Sequence, residues 1–460
     1  MVAFAAGSAR PGAKDDFQHF KSRPDLVPPA ISVDSRSSAT APGFIFIGPK
    51  KEVKDRGTLI LDNRGNVVWF RSSEPNEATD FKVQTYRGKP VLTWWLGKSD
   101  QGIGQGVGVI YNSSYRKIAT VRAGHGLDAD LHEFRLTPRG TALLTIYHRV
   151  PADLSSVGGP KNGFAQDSVL QEVDVATGKV RFEWHSIPQV PLGESYTPYR
   201  SGTTYDYFHI NSAQLLKNGN YLISARNTRA LYEISHRTHR IVWRLGGKKS
   251  SFKMGRGTTF AWQHDAELRP DGTLTVFDNE AQPPVGDRSR ALVMRVNEKK
   301  NTVTLVHAYT HPDKVLAPHQ GNFQLLGDGH AFVGWGGIPR FTEFNHAGKV
   351  VYDAHFSSNM DSYRAYRFVW HGRPKDKPRV AFGSSSGGKV ALYVSWNGAT
   401  DVTRWQVLAG KRGHLKPIRT VGRGGFETKI TVKTRAPVVR VKALDGTGKA
   451  LGFSAAMKRP

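Results

Sequence analysis

Four histidines stand at matching places in recurring hairpins of this sequence. His132 and His264 lie eight residues before Gly140 and Gly272, and His209 and His319 lie ten before Gly219 and Gly329. Both offsets are even and side chains alternate along a strand, so the four imidazoles are expected to share a face near the start of their strands. Imidazole is a nucleophile, a proton shuttle and a hydrogen-bond donor near neutral pH. The Asn218-Gly219 turn extends the set. If Lys217 pairs with Asn220 across a two-residue turn, Asn211 lies opposite Arg226 with His209 two residues along the same face, and the same counting puts His264 opposite Asn279. A guanidinium, amides and several imidazoles together make a donor-rich pocket suited to a tetrahedral oxyanion.

A histidine at a recurrent position is often a structural hydrogen-bonder, and 17 histidines guarantee some coincidences. Three of matching parity beside Arg226 tip the balance towards function. His125, His148, His311 and His371 have no such registration. Asp265 and Glu267 read as supports of their strand, with Asp265 also able to orient a neighbouring side chain.

The elements that must carry these residues repeat. An apolar strand, a polar turn and a second strand recur six times, as GTLILDNRGNVVWF from Gly57 and ALYEISHRTHRIVWRL from Ala230, with further copies from Gly106, Ser168, Ala291 and Arg340. A second hairpin lies between them, beginning at Phe81, Leu131, Phe208, Trp262 and Pro318. Two hairpins per repeat make a four-stranded blade, and repetition over some tens of residues is the mark of a propeller. The second hairpin has five copies against six of the first. The first blade has a strand at Gly43 to Gly48 and none before it, and Ser362 to Trp370 could supply the missing one from the far end. The expectation is an all-β, six-bladed β-propeller over residues 41–372, closed by strands from both ends. Residues 373–460 drop the blade pattern and read as a small β-sandwich of immunoglobulin or fibronectin type. Residues 1–40 read as an extended lead, packed irregularly over Asp15 to Thr40, and Met1 to Lys14 as a candidate remnant of an export signal, which points to a secreted or extracytoplasmic protein.

Composition narrows the partners. Lys and Arg total 65 against 38 acidic residues, a net charge of +27 that attracts anions. The basic residues are dispersed, with no RNP strand or zinc finger, so no nucleic-acid partner is expected. There is no cysteine, which removes disulfides, thiolate metal sites and cysteine nucleophiles together. No stretch approaches the roughly 20 apolar residues of a membrane helix.

The segments YFHINS (Tyr207 to Ser212), NGNYLISARN (Asn218 to Asn227), IVWRLGG (Ile241 to Gly247) and WQHDAEL (Trp262 to Leu268) resemble the arylsulfotransferase family. The resemblance covers Pro24 to His371 and looks closest to the actinobacterial and fungal branch, in which WNGATDVTRW (Trp396 to Trp405) is also familiar. It implies transfer of a sulfuryl group from an aryl sulfate donor to a phenolic acceptor, independent of the nucleotide donor PAPS and of any cofactor, with a histidine carrying the group. His264 matches that nucleophile, and His132, His209, Asn211 and Arg226 match positions around it. The expected catalytic residues are therefore His264, His209, His132 and Arg226, with Asn211, His319 and Asn279 binding substrate and no metal ligand.

Two other readings stay open. Carotenoid oxygenases hold iron with four histidines on a propeller axis, which makes a metal enzyme the strongest rival; the fixed charge of Arg226 argues against it. A non-catalytic propeller is the other, and the basic surface with the appended sandwich is compatible with cell-wall or glycan association.

Overall fold

The computed structural model describes residues 16–357 and 359–459. The candidate export segment at Met1 to Lys14 lies outside the described residues. The rest is all-β apart from two 3-10 turns, and among the described residues no helix is long and apolar enough to cross a membrane.

Six sheets of four or five strands occupy residues 31–368. Their neighbouring strands pair antiparallel, except that Lys253–Met254 joins one sheet in parallel. The first strands are Glu77–Tyr86, Phe134–Leu136, Ile210–Leu215, His264–Leu268, Asn322–Leu325 and Asp361–Phe368. The last of these, from the far end of the segment, pairs with Phe44–Lys50 near its beginning, in register from Phe44 with Phe368 to Lys50 with Asp361. Contacts pass from each sheet to the next in chain order and from the sheet of Asn322–Leu325 back to Asp361–Phe368.

Strand alternation explains why these sheets stack. Ile45 and Ile47 turn into a core shared with Phe332 and Phe341 of the preceding sheet, whereas Phe46 turns the other way onto Phe81 and Trp94 of the following one. Leu143 and Leu144 divide in the same manner between the cores on either side of their strand. A strand covered on both faces reads as a continuous apolar run, as in FIFIG and TLIL. Each fully buried Leu, Ile or Phe contributes roughly 1.5–3 kcal/mol, so every sheet is held mainly by its two neighbours.

The lead differs from expectation. Ile31–Arg36 is a strand, bulged at Asp34, that pairs antiparallel with Val350–Phe356 at the outer edge of the last sheet. Its backbone groups would otherwise face an open sheet edge.

Beyond residue 378, three strands (Arg379–Ser386, Lys389–Ser395, Glu427–Lys433) and a second sheet built on Arg404–Lys411 and Val438–Leu444 enclose a separate core that includes Trp405, Val407, Ile430 and Val432. This module docks on the first two sheets. Tyr115 stacks on Trp69 at 4.7 Å and donates to the Gly398 carbonyl at 2.8 Å, and the Asn397 amide both accepts from and donates to the Phe70 backbone.

Candidate functional site

The four histidines stand where chain enters the first strand of successive sheets. His264 opens its strand, His209 immediately precedes Ile210–Leu215, and His132 and His319 lie two and three residues before theirs. The backbone there is irregular. His209 and Gln320 hold left-handed φ of 60° and 63°, a conformation that costs a non-glycine residue about 1–3 kcal/mol and recurs at functional sites. All four imidazoles and Arg226 nevertheless line one cavity of 360 Å³, together with Lys50, Gln101, Gln320 and Tyr363.

Hydrogen bonds fix what each ring offers. The Asn279 amide nitrogen donates to the Ala317 and Gln320 carbonyls at 3.2 and 2.9 Å, so its oxygen must accept. That oxygen lies 2.7 Å from His264 Nδ1, which therefore carries the proton and leaves Nε2 with a bare lone pair. Burial, reinforced by the Arg226 charge, holds His264 well below the usual histidine pKa. The ring is neutral at physiological pH and able to act as a nucleophile.

His132 and His209 are backed differently. Each presents Nδ1 to a carboxylate, Asp130 and Asp206 respectively. Their rings meet edge to face at 4.9 Å, with Tyr147 against both and Tyr363 between His132 and His264. Burial lowers His132 despite the opposing pull of Asp130, and raises both tyrosines far above their usual value, so these phenols stay neutral. His319 stands at the exposed rim.

Several expectations need correction. The Asn218-Gly219 hairpin has a three-residue loop, with Leu216 bonded to Asn220 and Gly219 at φ 88°, so the register differs from the two-residue count. Ile210 pairs with Ala225 and Ser212 with Ser224, which leaves Asn211 in a bulge rather than opposite Arg226. The bulge turns the Asn211 amide onto the Gln263 carbonyl of the next sheet at 2.7 Å, away from the cavity. His264 pairs with Phe277, not Asn279, and Asn279 stands behind His264 instead of lining the cavity. Even offsets place side chains on one face only along regular strands, and the strands of His209 and His264 are bulged.

Below the cavity lies a cluster of buried charges that sequence reasoning missed. Arg364 meets Asp80, Glu133 and Asp265 at 2.9, 3.2 and 3.4 Å and donates to the Asn211 carbonyl at 2.9 Å. Lys82 meets Asp80 and Glu133. Burial pushes Asp265 up to about 6; burial acts the same way on Glu133, but Lys82 and Arg364 outweigh it and hold that carboxyl down at about 2. Asp80 and Asp265 occupy equivalent bulges at left-handed φ, which aims both carboxylates at Arg364. Asp130 and Asp206 were missed too, although the spacings Asp130-x-His132 and Asp206-x-x-His209 were there to be read. Tyr147, Tyr363 and Lys50 arrive from elements with no local signal.

Among the described residues no group of three or more His, Cys, Asp or Glu side chains is placed to hold a metal ion. The arginine charge inside the cavity also opposes a cation. Imidazole nucleophile, guanidinium and carboxylate-backed histidines form a group-transfer constellation for an anionic substrate. Residues 82–357, more than half of the sequence, match the profile of the arylsulfotransferase (ASST) family. The chain belongs to the arylsulfotransferase family. Membership supports a sulfotransferase-like enzyme acting on small molecules, at the level of the family. No curated protein matches this chain in sequence. Among solved structures, a protein of unknown function from Bacteroides caccae is 14% identical, with 71% of this chain and 98% of that chain covered and a TM-score of 0.43. A catalytically inactive virginiamycin B lyase from Staphylococcus aureus with quinupristin is 8% identical, covers 80% and 96%, and has a TM-score of 0.37.

Proposed function

We propose that this member of the arylsulfotransferase family is a closed six-bladed β-propeller over residues 41–372 with an appended β-sandwich over residues 373–460, of the actinobacterial and fungal branch. It moves a sulfuryl group from an aryl sulfate to a phenol through a sulfohistidine at His264, without PAPS. The observation that carries this reading is the bare Nε2 of His264, locked by Asn279 and facing the cavity that Arg226 shares.

In the first half-reaction Nε2 attacks sulfur as the sulfur–oxygen bond to the aryl group breaks. The ring keeps its Nδ1 proton on Asn279 and becomes an N-sulfo-imidazolium. The departing phenolate takes a proton from the imidazolium form of His132 or His209, each of which keeps its other nitrogen, Nδ1, on a carboxylate. In the second half the acceptor phenol returns a proton to the same histidine, its oxygen attacks sulfur, and the nitrogen–sulfur bond breaks. Arg226 supplies fixed donors for the charge on the sulfuryl oxygens in flight, as in phosphoryl transfer. A covalent carrier divides one difficult transfer into two easier ones.

Incubation with 4-nitrophenyl sulfate and a phenol tests it. Nitrophenol release should depend on the acceptor, and intact-protein mass under donor excess should show one added sulfuryl group on His264. Release that needs PAPS, release that survives His264→Ala, or stoichiometric iron or zinc lost on His264→Ala would overturn it.

A further inference from the structure

Two hairpins differ from the others in length. The sheet beginning at Glu77 contains Lys89–Asp100 and Ile103–Tyr111, and the next contains Thr141–Ala152 and Gly163–Asp174. The matching strands of the sheet after them are Tyr221–Ala225 and Ala230–Ile234. A 12-residue strand outreaches a 5-residue one by 7 residues, roughly 20 Å at about 3.3 Å each. The excess rises on the histidine side. Gln101, at the tip of the first long hairpin, lines the histidine cavity, and Gln166, in the overhang of the second, lines a groove beside it.

That groove is continuous with the cavity. A space of 720 Å³ shares Gln101, His209 and Arg226 with it, and a further space of 800 Å³ shares Gln101, Thr203, Thr204 and Asp206 with the first. Each is about twice the 360 Å³ cavity, which already lies within the 300–1,000 Å³ range of small-molecule sites. The near part is aromatic, with Tyr196 and Trp262 flanking Arg229, whose guanidinium lies 4.2 and 4.1 Å from their ring centres. The far part is lined by hydroxyls and amides, among them Ser99, Gln105, Gln166, Thr203 and Thr204. A groove lined by hydroxyls, amides and carboxylates suits a ligand whose groups donate and accept at one atom, which is what sugar hydroxyls do.

We propose that the acceptor is a phenolic glycoside, its ring in the histidine cavity and its sugar in the groove between the long hairpins and residues 196–206; this rests on the sulfuryl transfer proposed above. The test compares kcat/KM for 4-methoxyphenol, 4-hydroxyphenyl glucoside and the corresponding disaccharide with 4-nitrophenyl sulfate as donor. A sugar should raise kcat/KM about tenfold, chiefly through KM. Gln166→Ala and Gln105→Ala should each remove about threefold to tenfold of that gain and leave 4-methoxyphenol turnover unchanged. Equal values across the series, or a larger gain from a tyrosyl peptide, overturn the proposal. Absent turnover of 4-methoxyphenol marks failure of the transfer reading instead, and calorimetry then still decides the groove: binding of the glucoside to His264→Ala protein should weaken with Gln166→Ala, and no sugar-dependent binding overturns it.

Discussion

His132 and His209 meet the cavity with carboxylates behind them, whereas His264 meets it with an amide. A carboxylate favours imidazolium, and behind His132 it opposes the burial that lowers the pKa, which suits a group that gives and takes protons. An amide oxygen fixes the tautomer without adding charge, which suits a nucleophile that must stay unprotonated. The residue type is the same on both sides, and in the proposed transfer it is the partner behind the ring that divides the work. Removing the ring on the amide side should have the largest effect. His264→Ala is expected to lower kcat by roughly four orders of magnitude or more and to abolish the sulfuryl adduct. His132→Ala and His209→Ala should still form the adduct, at rates about 10²–10⁴ lower. Intact-protein mass after rapid quenching separates the two outcomes.

Exchanging the partners tests the division more sharply. Asn279→Asp puts a carboxylate behind His264, so its Nε2 should take a proton at higher pH than in the native protein. The acidic limb of the pH–rate profile should move to higher pH, with the largest loss of activity on its acidic side. An acidic limb that stays put would remove the amide from the argument. Asp130→Asn and Asp206→Asn make the opposite exchange and should cost about 10-fold to 100-fold with poor leaving groups. With 4-nitrophenyl sulfate, whose phenolate leaves readily, the loss should be smaller. Rates across a series of aryl sulfates of rising phenol pKa show the difference as a steeper slope in the two variants.

Much of the scaffold was legible because hairpin chemistry is local. Apolar alternation and Asn-Gly or Asp-Gly turns are written in neighbouring residues, and the copy missing from the first repeat pointed to the strand at Asp361–Phe368 that pairs with Phe44–Lys50. The site was legible in its residue types but not in its geometry. Bulges at Asn211 and at Asp265 and left-handed residues at His209 and Gln320 break the two-residue period, and nothing in alternation announces them. Arg364 and Lys82 read as strand residues of ordinary polarity, although they sit deep beneath the cavity among three carboxylates. Their position follows from which strands come first in their sheets, a tertiary fact. Asn279 was found for the wrong reason, since the register count put it across from His264 and its side chain reaches that ring from behind.

A third histidine away from the cavity supplies the smallest effect and a control. His185 also has a carboxylate on Nδ1, at 2.6 Å from Asp167, but it is half-exposed. That hydrogen bond raises its pKa to about 9, where burial leaves the carboxylate-backed His132 below its usual value. The signs then oppose. His185 binds its proton more tightly folded than unfolded, so its stabilising effect is complete below pH 6.5, the usual histidine value, and is lost as pH rises through about 9. His264 binds its proton more weakly when folded, so stability is lost as pH falls below 6.5 towards its depressed pKa. Solvent screening reduces the His185 contribution to about 1 kcal/mol. His185→Gln should therefore lower stability by about 1 kcal/mol at pH 6 and by almost nothing at pH 10, with sulfuryl transfer unchanged. Urea denaturation at the two pH values measures it, and an equal loss at both would show that the Asp167 contact is steric packing and does not set the charge of His185.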